Sequence, residues 1–114
     1  MIDALDQGWR MAAGLKPLTT ETRDLYRRPL LPDELAKAAA VVLDPPRAGA
    51  EAQVSELVKA TVPKIAYVSC NPVTFARDAA LLVAGGYALK WIQVVDQFRW
   101  SAHVELVGCF VRDP

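Results

Sequence analysis

Residues 41–46 (Val-Val-Leu-Asp-Pro-Pro) and 65–72 (Ile-Ala-Tyr-Val-Ser-Cys-Asn-Pro) decide how this chain is read. Each is a short apolar run that stops at a polar turn containing proline, the form of a buried parallel strand ending in a loop. Between them Val54, Leu57, Val58 and Thr61 recur at helical spacing. After the second run Asn71 can cap a helix that has Pro72 at its first position and ends at Gly85-Gly86. Strand, helix, strand, helix is the order of an α/β sheet with right-handed crossovers.

Downstream, residues 87–97 and 103–112 are β-rich and joined by a segment too short for a helix, so they are expected to pair as an antiparallel hairpin. Upstream, Pro32-Asp33-Glu34 opens a short helix running to about Ala39, because proline is tolerated in a first turn and acidic residues there suit the helix dipole. Residues 18–25 alternate weakly and suit a short edge strand or extended segment before a turn at Arg27-Arg28-Pro29. Ile2, Leu5, Trp9 and Ala12 or Ala13 mark an amphipathic helix over 2–13, ended by Gly14 and Pro17. The sheet is therefore expected to be mostly parallel and to finish in an antiparallel hairpin.

The 114 residues, 53% of them hydrophobic, allow one domain with one core. Thirteen basic and thirteen acidic residues cancel, so any contact with nucleic acid must come from a local basic surface. Arg23, Arg27, Arg28, Arg47, Arg77 and Arg99 are the candidates for it, and ion pairing or plain solvation explains them equally well. Cys70 and Cys109 lack metal-ligand spacing and no signal-peptide layout opens the chain, which reads as a reduced cytoplasmic protein without a metal. No apolar run approaches the roughly 20 residues of a membrane-spanning helix.

In open α/β sheets ligands bind beyond the carboxyl ends of the parallel strands. Asp44 and Cys70 each stand at such an end. If the strand that begins near Tyr87 runs parallel to these two, Asp96 reaches the same rim and the returning strand starts there with His103 and Glu105. Polar and reactive side chains then converge at one edge.

Three stretches carry a resemblance: Leu43-Asp44-Pro45-Pro46-Arg47-Ala48-Gly49, Tyr67-Val68-Ser69-Cys70-Asn71-Pro72, and Asp96-Gln97-Phe98 followed by His103-Val104-Glu105. In this order they closely resemble successive motifs of the bacterial S-adenosylmethionine-dependent RNA methyltransferases that act on carbon 5 of uracil in 23S ribosomal or transfer RNA. The likeness runs from about Thr20 to Arg112. It implies a partial class I, Rossmann-like methyltransferase domain that lacks the first two strands of the full fold. Residues 1–114 are then expected to be a single C-terminal fragment of the catalytic domain, inactive alone. The glycine-rich loop and acidic strand end that normally hold the methionine and ribose of S-adenosylmethionine would lie upstream. One departure touches the substrate side: Arg99 and Ser101 follow Phe98 where family members often have proline and threonine.

The resemblance also implies roles. Cys70 would be the nucleophile, because carbon 5 of uracil is too weakly nucleophilic to take a methyl group until a thiolate has added at carbon 6. Glu105 would be the base that removes the carbon 5 proton afterwards. Asp44 would contribute to the cofactor pocket, and Asn71, His103 and Arg47 would face the substrate. His103 could equally orient the glutamate, and the plainer readings are a buried strand-end cysteine for Cys70, an outward strand glutamate for Glu105, a turn aspartate for Asp44, a helix cap for Asn71 and a structural hydrogen bond for His103. The expected partner is RNA, with ribosomal favoured over transfer RNA, and a homodimer or an upstream partner chain could complete the sheet. Two other classes compete: a non-catalytic remnant that binds RNA or a partner, and an amino-directed nucleic-acid methyltransferase. Cys70 and Glu105 argue against the latter, since exocyclic amino groups need no covalent adduct.

Overall fold

A computed structural model of the chain describes residues 18–96 and 104–112. The helix expected over 2–13 lies outside them. Among the described residues the order is α1 (Pro32–Leu35), β1 (Ala40–Leu43), α2 (Glu51–Ala60), β2 (Lys64–Ser69), α3 (Pro72–Ala84), β3 (Ala88–Asp96) and β4 (Val104–Val111). None of their helices is long and apolar enough to cross a membrane.

The four strands form one sheet in the order β1-β2-β4-β3. β1 and β2 are parallel, in register from Ala40 opposite Lys64 to Leu43 opposite Tyr67. β4 runs antiparallel to both of its neighbours, so β1, β2 and β3 point one way and β4 alone opposes them. The expected hairpin is present, but its returning strand is inserted inside the sheet. Composition explains the exchange of places. β4 (Val-Glu-Leu-Val-Gly-Cys-Phe-Val) is apolar on both faces after Glu105, as a central strand must be. β3 carries Lys90 and Gln93 and shifts register between Leu89 and Trp91, the kind of irregularity and charge that blunts an edge.

Side chains alternate across the sheet. Leu43, Ile65, Tyr67, Leu106 and Phe110 are buried on the face that meets α2 and α3. There they join Val54 and Leu57 of α2 and Phe75 and Leu82 of α3, each worth roughly 1.5–3 kcal/mol of apolar burial. Phe75 stands edge-on to Tyr67, with ring centres 5.3 Å apart, and reaches Phe110 at 6.1 Å. By register, the other face carries Val42, Ala66, Val68, Val107, Cys109 and Trp91, and on it Val42 is 72% and Trp91 52% exposed.

The helix ends follow local rules, with some surprises. Asn71 caps α3 by accepting the Val73 N–H. At the other end Gly86 takes φ +107°, and the Tyr87 N–H bonds to the Leu82 carbonyl, a left-handed termination that favours glycine. Thr61, which the spacing assigns to α2, instead caps it at φ 58°. Beyond that cap Tyr87 Oη donates to the Val62 carbonyl at 2.6 Å and Arg112 Nη1 to the Val58 carbonyl at 2.9 Å. α1 stops at Leu35 rather than near Ala39, because only Leu35 of its residues reaches the core and the chain must enter β1 at Ala40. Residues 18–25 form no strand. The Arg23 guanidinium binds the carbonyls of Arg28 and Pro29 and the Glu34 carboxylate, and these contacts close a turn over residues 25–27 instead.

Candidate active site

Strand register builds the rim. Ser69, the last residue of β2, lies opposite Leu106, so Cys70 leaves the strand at the edge of the sheet where Glu105 stands next to Leu106 in β4. Glu105 in turn opposes Val95 of β3. By alternation Glu105 belongs to the sheet face away from α2 and α3, and both Cys70 and Glu105 are partly exposed. Leu43 opposes Tyr67, which sets Asp44, exposed, at the same end of β1. The backbone thus brings Asp44, Cys70 and Glu105 to one edge. His103 lies outside the described residues, as do Phe98, Arg99 and Trp100.

Cys70 occupies a tight bend. Ser69 Oγ donates to the Asn71 carbonyl at 2.9 Å and accepts the Asn71 N–H at 3.0 Å, which turns the chain from strand to helix across the cysteine. The Asn71 side chain is engaged at both ends: Oδ1 caps α3, while Nδ2 donates to the Arg47 carbonyl at 2.9 Å. Arg47, exposed, is held through its backbone and leaves its guanidinium toward solvent.

One face of α3 holds the loop of residues 44–50. Thr74 Oγ1 donates to the Arg47 carbonyl at 2.8 Å, Arg77 Nη2 donates to the Ala48 carbonyl at 2.9 Å, and Asp78 Oδ2 accepts the Ala50 N–H at 2.8 Å. Asp78, fully buried, also accepts the Tyr67 hydroxyl at 2.5 Å and Arg77 Nε at 3.2 Å. Burial pushes the Tyr67 phenol well above the ordinary tyrosine range, helped by its bond to Asp78. The bond to Asp78 raises the Arg77 guanidinium further, which keeps it charged. Gly49 fits this packing at φ +82°, where a Cβ would come within 2.6 Å of Arg77 Nη2 and 2.8 Å of Asp78 Oδ2.

The segment before α1 walls a pocket of about 340 Å³ beside Asp44. Tyr26 Oη donates to the Gly49 carbonyl, and Gln53 bonds both the N–H and the carbonyl of Leu30, docking residues 23–30 against the loop and α2. Leu25, Val42, Pro45 and Pro46 line the pocket together with Asp24, whose carboxylate accepts the N–H groups of Tyr26 and Arg27, and Asp44. Its size is at the lower end of ligand sites, and apolar walls with carboxylate acceptors suit a flat heterocycle bearing hydrogen-bond donors. Sequence reasoning missed Asp24, Asp78 and Thr74. No motif marks Asp24, and Asp78 and Thr74 read as ordinary polar helix residues until the loop is laid on them. Among the described residues no group of histidine, cysteine and carboxylate side chains is gathered to hold a metal ion.

Comparison with known proteins adds a family to this geometry. The family model for tRNA (uracil-5-)-methyltransferases matches residues 10–113. An uncharacterized RNA methyltransferase of Brucella suis is 56% identical over 109 residues, which cover 96% of this chain and 26% of that protein. One from Caulobacter vibrioides is 56% identical over 111 residues, covering 97% of this chain and 27% of the relative. The chain thus spans about a quarter of the length of these curated relatives. Among solved structures, a Pyrococcus abyssi tRNA (uracil-54, C5)-methyltransferase in complex with S-adenosyl-L-homocysteine superposes with a TM-score of 0.58 at 43% identity. It covers 64% of this chain and 18% of that one.

Proposed function

This chain belongs to the tRNA (uracil-5-)-methyltransferase family, and from that premise we propose that it carries the nucleophile and the base of an RNA methyltransferase acting on carbon 5 of uracil. The observation that carries the reading is the register that ends with Ser69 opposite Leu106, which leaves Cys70 and Glu105 each one residue beyond that last pair at the same edge of the sheet. The sheet is read as part of a class I methyltransferase domain, and the outer edge of β1, unpaired among the described residues, as the place where a further strand joins.

In this reading the Cys70 thiolate adds to carbon 6 of the target uracil, and the displaced electron pair makes carbon 5 nucleophilic. S-adenosylmethionine, when bound, supplies an electrophilic methyl group on a sulfonium centre. Asp44 and the adjoining pocket fit the adenosine part of that molecule by chemistry, since carboxylates accept from amino and hydroxyl groups while Leu25, Pro45 and Pro46 wall a ring. Once carbon 5 carries both a methyl group and its original proton, Glu105 takes the proton. The electron pair left on carbon 5 re-forms the double bond to carbon 6 and expels Cys70 as thiolate. Arg47, exposed, offers a phosphate contact and His103 is assigned to the substrate side with it, while Asn71, whose side chain is taken up by the α3 cap and the Arg47 carbonyl, shapes the turn that carries Cys70.

RNA carrying 5-fluorouracil tests this directly, because fluorine at carbon 5 cannot leave as a proton does. The expected product in the intact protein is a stable RNA–protein adduct that maps to Cys70 by peptide mass. Ribosomal RNA is the first substrate to try, and transfer RNA, the substrate named for the Pyrococcus relative, is the second. Adduct on any residue other than Cys70 would overturn the assignment.

A further inference from the structure

The loop of residues 44–50 has little structure of its own: its one internal backbone bond joins the Gly49 N–H to the Pro46 carbonyl. What holds it is α3. Asn71, Thr74, Arg77 and Asp78 fall on one helical face and bond in turn to the carbonyl of Arg47, again to that of Arg47, to the carbonyl of Ala48 and to the N–H of Ala50. The same helix begins two residues after Cys70. Asp78 lies at the centre, with donors from three separate parts of the chain: Tyr67 of β2, Ala50 of the loop and Arg77 of α3. Arg77 continues outward to Glu51 at 3.5 Å.

We infer that Asp78 is a positioning residue that locks the Asp44 loop and the Cys70 turn into one rigid unit, setting the distance between the cofactor side and the nucleophile. The inference rests on the functional reading above. A buried carboxylate is an expensive way to stabilise a fold, since its desolvation offsets most of what its bonds return. It does, however, fix direction. Three donors from three elements leave its two oxygens one arrangement, and a loop so anchored cannot drift relative to the helix. Reacting groups tolerate little drift: a misplacement of about 1 Å can lower a rate on the order of 100-fold.

The test uses Asp78→Asn and Thr74→Val in the intact protein. Asp78→Asn turns an acceptor toward Arg77 Nε into a donor, and Thr74→Val removes a single hydroxyl from a side chain of the same shape. Folding is checked by circular dichroism, and kcat and KM for RNA and for the methyl donor are measured. Asp78→Asn is expected to lower kcat roughly 30- to 100-fold and Thr74→Val about 3- to 10-fold, with KM for RNA within about threefold of the parent. Alkylation of Cys70 by iodoacetamide, followed by peptide mass, should stay within about twofold, because the thiol itself is intact while its partner loop has moved. Amide exchange over residues 44–50 should quicken in both variants. Folded Asp78→Asn with parental kcat and slow exchange in the loop would overturn the inference, and so would activity lost only in proportion to unfolded protein. If Asp78→Asn does not fold, Thr74→Val decides: parental kcat in that variant counts against the inference. Cys70→Ala separates the two levels. Its retention of methyl transfer would sink the functional reading itself, whereas an inactive Cys70→Ala beside a fully active Asp78→Asn would sink only the positioning role.

Discussion

The Tyr67 hydroxyl donates to the buried carboxylate of Asp78 at 2.5 Å, tying the centre of β2 to the helix that follows it. Burial raises the phenol above its ordinary value near 10, so the folded chain keeps this proton more tightly than the unfolded one. The contribution is intact below about pH 10 and is lost as the pH rises through the folded value. Urea unfolding between neutral and strongly alkaline pH should show a steep fall that Tyr67→Phe makes shallower. The same variant should lose about 1–3 kcal/mol at pH 7, because Asp78 is left short of a donor. An unchanged alkaline slope in Tyr67→Phe would mean that another group governs it.

Cys70 stands at the strand-to-helix bend, and Ser69 and Asn71 shape that bend without the thiol. Cys70→Ala should therefore melt close to the parent while methyl incorporation into uracil disappears in the intact protein. Retention of more than about one per cent of the rate would remove Cys70 from the reaction, given that loss of a covalent nucleophile typically costs several orders of magnitude.

In the proposed reaction Glu105 acts after the adduct has formed, so its loss should stall the reaction rather than prevent it. Glu105→Gln is expected to accumulate an RNA–protein complex that survives denaturing electrophoresis and is absent from the Cys70→Ala, Glu105→Gln double variant. Normal turnover in Glu105→Gln would require a different base.

Gly49 combines a positive φ with a position where a Cβ would run into Arg77, Asp78 and Thr74. Gly49→Ala should cost about 2–4 kcal/mol, the sum of left-handed strain and displacement of the brace, and should depress activity as well. Denaturant midpoints together with kcat check both halves. A neutral Gly49→Ala would show that the loop shifts freely, contrary to the anchoring described here.

Much of this was legible in the chain before any coordinates. The apolar runs at 41–43 and 65–68, the capped helix after Cys70 and the closing hairpin follow from periodicity and turn chemistry, which act over a few residues. The positions of Asp44 and Cys70 at strand ends were legible for the same reason, whereas the roles given to them and to Glu105 come from the resemblance of the motifs around them. Tertiary structure alone decided three things. It placed β4 between β2 and β3, because hydrogen-bond partnership depends on which strand tolerates burial on both faces and which tolerates an edge. It cut α1 to one turn and withheld a strand from residues 18–25, because Leu35 had a place in the core and Arg23 found carbonyls and Glu34 across the turn. And it made Asp78, by sequence an ordinary helix aspartate, a junction of sheet, loop and helix, since two of its three donors come from residues 11 and 28 positions away and reach it only when those elements have packed.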